Sequence, residues 1–162
     1  MESGTTVVYL DLLIQSMEKK VNILNQLISV SKDQKEAMSQ DLLNVEQFDQ
    51  SYEKKNQLID DLNQLDSGFT TIYDRVKDEL HSNKDPYKDR ILRLKQLISE
   101  VTTKSITLQG IEAQNKLLFE SAVNRSKGKI KQRNISSQVA ASYYTQMSNQ
   151  FGERYNQVDR KR

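Results

Sequence analysis

The sequence predicts an all-α chain: an elongated antiparallel three-helix bundle with coiled-coil-like packing, followed by a C-terminal helical tail. Three observations carry that prediction. Apolar residues recur in steps of three and four over three long segments, which is the period of one helix face. A single Pro and five Gly in 162 residues fit a chain with very few turns. A composition of 36% hydrophobic and 28% charged residues is polar for a compact globule, but it suits long helices that each bury one stripe.

The first helix is predicted over residues 5–39. Val7, Leu10, Leu13/Ile14, Met17, Val21, Leu24 and Leu27/Ile28 define its face, and the polar stretch Ser31–Glu36 is expected to weaken its end. The second spans 45–80, with Val45, Phe48, Tyr52, Lys55, Ile59, Leu62, Asp66, Phe69, Tyr73, Val76 and Leu80 in unbroken register. Lys55 and Asp66 are its polar intruders, with Leu58 and Leu65 beside them to widen the stripe. Gly68 costs about 1 kcal/mol there relative to Ala, and Asp41 is the expected cap. The stretch 81–86 is the strongest break, where Asp85 would cap the next helix and Pro86 suits its first turn. The third helix carries Ile91, Leu94, Ile98, Val101, Ser105, Leu108, Glu112, Asn115, Phe119 and Ala122. Ser105, Glu112 and Asn115 predict less complete burial in its second half. Helices of about 35 residues are each about 50 Å long, and heptad steps imply left-handed coiled-coil packing.

Two unlike parts meet near residue 121. Residues 1–120 hold 15 Lys+Arg against 20 Asp+Glu, a net of −5, whereas residues 121–162 hold 9 against 2, a net of +7. The expected division is a helical bundle over 1–124, then a basic hinge and an amphipathic partner-binding tail over 125–162. Arg125, Lys127, Lys129, Lys131 and Arg133 alternate with uncharged residues and so spread around a helix, as a solvated hinge would. Five charges can also bind phosphate in a salt-sensitive way. The nearest aromatics, however, are Tyr143 and Tyr144, and the body is acidic, so no nucleic-acid partner is expected.

Beyond the hinge, Ile135, Val139, Tyr143, Met147, Phe151 and Tyr155 step by four. At about 100° per residue that stripe drifts by about 40° per step and winds around the helix. Tyr, Met and Phe are enriched at interfaces. A partner-binding arm is the expected role, and packing on the body as a fourth helix is the alternative. The partner-contact candidates are Ile135, Val139, Tyr143, Tyr144, Met147, Phe151 and Tyr155.

No cluster of residues suggests chemistry. The chain has no Cys, and its one His, His81, falls in a turn without a second ligand for zinc. Asp60-Asp61 and Asp78-Glu79 diverge on a helix, and no glycine-rich phosphate loop exists. Neither an enzyme nor a cofactor is expected. The run Val7–Leu10 then Leu12–Ile14 is interrupted by Asp11 and lacks the flanks of a signal peptide. No segment approaches the roughly 20 apolar residues of a membrane span. A cytoplasmic protein without stable membrane insertion is the expectation.

Within the third helix, Asn115-Lys116-Leu117-Leu118-Phe119-Glu120-Ser121 resembles the Asn-x-x-Leu-x-x-Ser segment of FlgN-type flagellar export chaperones. Gln34-Lys35-Glu36-Ala37-Met38, then Asp41-Leu42, then Lys55-x-x-Leu58-Ile59-x-x-Leu62 resembles the same family's succession, so the likeness covers roughly residues 8–125. The resemblance implies a cytosolic chaperone that binds hook-associated proteins of the hook–filament junction before type III export. It further implies that the C-terminal region binds the client's terminal helical segment and that the complex docks on the export gate; by position, Tyr143 or Tyr144 is the alternative candidate for meeting the gate instead of the client. No ATP would be needed. The competing reading is a structural coiled-coil protein that self-associates through its heptads, and these also allow a homodimer.

Overall fold

The computed structural model describes residues 3–40 and 43–125. They form three long helices: α1 (Ser3–Ser39), α2 (Val45–Ser82) and α3 (Lys88–Arg125). A 3₁₀ turn at Asp85–Tyr87 leads into α3, and no strand occurs among the described residues. Each helix is about 56 Å long at about 1.5 Å per residue. α1 is the central element. Both other helices run along it, whereas α2 and α3 meet each other chiefly through long side chains.

Three apolar layers divide the bundle along its length. At one end Leu10 and Leu13 of α1 meet Val76 near the end of α2 and Leu94 near the start of α3, with Tyr87 beneath them. The middle holds Met17, Leu24, Leu27, Val30, Leu58, Leu62, Leu97, Val101 and Leu108. The far end joins Ala37, Met38, Leu43, Val45, Phe48, Phe119, Ala122 and Val123. The start of α1 thus lies beside the end of α2 and the start of α3, which is up-down-up order. This confirms the predicted all-α three-helix bundle.

Local chemistry sets the ends, and here two expectations are corrected. The cap of α2 is Asn44 rather than Asp41: its side chain accepts a hydrogen bond from the Gln47 amide at 3.2 Å. Asn44 stands immediately before the helix, where a short side-chain oxygen reaches the free amides of the first turn. Asp85 does not cap α3 from outside; it opens the 3₁₀ turn that carries Pro86. Asn83 closes α2 by donating its amide to the Glu79 carbonyl at 2.9 Å, and His81 sits in the last turn of that helix. α3 runs through Arg125, whose guanidinium donates to the carbonyls of Met38 at 2.9 Å and Gln40 at 3.3 Å. Those are carbonyls at the end of α1, which a helix leaves without internal partners.

The burial pattern overturns two further expectations. Ser31–Glu36 does not weaken α1, which is continuous to Ser39, with Ser31 and Gln34 fully buried. The second half of α3 is as enclosed as the first: Ser105, Glu112 and Asn115 all lie in the interior. On α2 the buried line runs through Phe48, Ser51, Lys55, Leu58 and Leu62, so Leu58 is deeper than Ile59.

Candidate partner-binding site and the polar core

The predicted contact residues Ile135, Val139, Tyr143, Tyr144, Met147, Phe151 and Tyr155 lie outside the described residues, as do the tail and the basic hinge beyond Arg125. What the structure does describe is the platform from which that segment departs, and a polar layer buried in it.

That layer lies between the middle and far apolar layers. Lys55 of α2 is wholly buried, and its ammonium donates to Gln34 Oε1 of α1 at 2.7 Å and to Glu112 Oε1 of α3. Ser31 Oγ donates to the same Glu112 oxygen at 2.5 Å, and Asn115 Nδ2 donates to the Ser31 carbonyl at 2.8 Å. One ion pair thereby ties all three helices together. Burial holds the Lys55 ammonium below its usual range, and the charge of Glu112 and the bond to it offset only part of that cost. A lysine with a depressed pKa is elsewhere a candidate nucleophile or base. Here both charged side chains are fully enclosed, so the pair offers no surface to a substrate. Glu112 Oε2 and Asn115 Oδ1 are buried without hydrogen-bond partners, which raises the cost of the layer.

Sequence reasoning located every member of this layer on or beside a stripe but treated each as a local defect. The signal that joins them is the shared level: Ser31/Gln34, Lys55 and Glu112/Asn115 fall opposite one another once the helices are aligned in up-down-up order. A second, more open pair repeats the device, with Lys20 Nζ 2.7 Å from Asp66 Oδ1.

The end of the bundle from which the tail departs is apolar and aromatic. Phe48 and Phe119 lie with ring centroids 5.0 Å apart, Tyr52 stacks on Phe48 at 6.5 Å, and the Arg125 clamp closes this end. Tyr87 was also missed by the periodicity, because it precedes the first apolar step of α3. It is nevertheless the largest fully buried side chain among the described residues, and its hydroxyl donates to Glu79 at 3.2 Å. A groove between α1 and α2, lined by Lys19, Asn22, Ile23, Asp61, Gln64 and Leu65, is open and of mixed polarity. Among the described residues no group of three or more His, Cys, Asp or Glu is arranged to hold a metal ion, and no helix is long and apolar enough to cross a membrane.

Compared with known families, the chain matches the model described as FlgN protein over residues 9–146. No curated protein and no solved structure matches it.

Proposed function

Given that the chain belongs to the FlgN protein family, we propose that it is a flagellar export chaperone, which binds hook-associated proteins in the cytoplasm and keeps them unassembled for type III export. The observation that carries this reading is the extent of the match, which covers the bundle from residue 9 onward and continues into the tail as far as residue 146. The fold supports it in a specific way. The three described helices bury their heptad faces against one another, so binding a client through 135–155 would not require the bundle to open.

In this reading Ile135, Val139, Tyr143, Met147, Phe151 and Tyr155 take an amphipathic helix of the client, the helix-in-groove mode of recognition. Binding withholds the client surface that would otherwise assemble, so no ATP or bond-making step enters. Tyr143 or Tyr144 meets the export gate. Tyr143→Ala and Phe151→Ala should each weaken client binding by about 2 kcal/mol, roughly 30-fold, as expected for buried aromatic anchors. Titration calorimetry with a purified hook-junction protein would measure it.

The decisive experiment is affinity purification from the native host, comparing the full chain with one ending at Asn134. A hook-junction protein recovered only by the full chain supports the proposal. Recovery by both chains moves the client site into the bundle. Recovery of nothing but the protein itself favours self-association.

A further inference from the structure

The outward face of α3 differs from the rest of the surface. The exposed residues between Val101 and Phe119 are Thr103, Ile106, Thr107, Gly110, Ala113, Gln114 and Leu117, and none is charged. Ile106 and Leu117 are 51% and 67% exposed. Ile106, Gly110, Ala113 and Leu117 are spaced by four, three and four, so they form one stripe nearly opposite the buried face. Gly110 is unfavourable in mid-helix, and a Cβ built there would meet nothing, so no contact within the bundle requires a glycine.

The chain beyond Arg125 has a matching pattern. Residues 134–152 carry no charge, and within them Ala140, Tyr144, Met147 and Phe151 repeat the spacing four, three and four. Laid antiparallel to α3, the two stripes pair Ile106 with Phe151, Gly110 with Met147, Ala113 with Tyr144, and Leu117 with Ala140, small against large in the last three. Every pair is centred on the same point, Gly128–Lys129, so one reversal of the chain brings all four into register at once. Residues 126–131 would make that reversal, a connection of ordinary length between antiparallel helices. Small residues facing large ones let two helices interlock closely. Charge agrees as well. Two positions further along the tail stripe, past Ser137 opposite Glu120, Arg133 falls opposite Asn124, one turn from Glu120, and a net +7 segment returns to a net −5 body.

We infer that residues 132–152 fold back as a fourth helix, antiparallel to α3, and cover the stripe Ile106–Gly110–Ala113–Leu117. The inference goes beyond the client reading and stands apart from it, because docking is a property of the chain without a client. Where a client does bind, Met147 and Phe151 belong to both surfaces, so client and α3 compete for them.

The absence of native cysteine allows a direct test in the full-length chain. Gly110→Cys with Met147→Cys should close a disulfide within the monomer about tenfold faster than Gly110→Cys with Asn149→Cys, whose second thiol sits on the far side of the tail helix. Equal rates, or links only between chains, overturn the inference. Gly110→Trp provides a second readout, since the site is open and the bundle tolerates the ring. Amides of residues 140–151 should exchange at least about tenfold faster in that variant, with the interior of α1–α3 unchanged. Amides that already exchange at the unprotected rate in the unaltered chain, or that do not respond to Gly110→Trp, also overturn it.

Discussion

At the scale of single residues, the energetics centre on Lys55 and Glu112. Two buried charges that bind each other attract strongly yet cost several kcal/mol to desolvate, so their net worth is small. Removing one partner is another matter. Glu112→Ala leaves an uncompensated ammonium in the interior and should destabilise by about 3–5 kcal/mol, read from the urea midpoint. The double variant Lys55→Met/Glu112→Leu should recover most of that loss. The lowered Lys55 pKa also fixes a pH dependence. Between the folded-state value and 10.5 the unfolded chain binds more protons, so stability rises with pH across that window. Below the window the full cost of burying the charge is present. Urea midpoints compared across the alkaline range should show this rise in the unaltered chain and lose it in Lys55→Met.

At the scale of helices, the ends and the isolated glycines decide how much each element contributes alone. Gly68 is exposed within α2 and a Cβ there would meet nothing, so Gly68→Ala should stabilise by about 1 kcal/mol in thermal or urea unfolding. Arg125 does the opposite kind of work by closing the end of α1 from α3. Arg125→Ala should cost about 1 kcal/mol and speed hydrogen exchange around residues 36–40. The helices themselves were legible in the sequence almost to the residue, because the stripes keep their period for about six to ten turns. The caps were less so: Asp41 and Asn44 have equally suitable side chains, and only the position of the first helical amide separates them. Tyr87 escaped because a residue inside a 3₁₀ turn belongs to no stripe.

At the scale of the whole molecule, the polar layer explains why the order of helices was legible while the interior was not. Periodicity marks which face is inside, but it scores Ser31, Gln34, Lys55, Glu112 and Asn115 as flaws in that face. Only alignment across three helices turns the flaws into one network. The network also selects the alignment: moving α3 by one heptad would set Ser105 or Phe119 where Glu112 stands and leave Lys55 unmatched. Lys55→Met/Glu112→Leu should therefore keep its stability yet gain alternative alignments, seen as more amide resonances than the unaltered chain gives in a side-by-side spectrum. The central position of α1 has a further consequence, one that belongs to synthesis. α1 leaves the ribosome first, yet its second partner is complete only some 85 residues after Gln40, on the order of 4–17 s at about 5–20 residues per second. During that interval the flank of α1 that α3 covers in the finished bundle has no partner within the chain. Every newly made copy is thus, for seconds, an open receptor for a helix, and its own α3 is the first ligand to arrive.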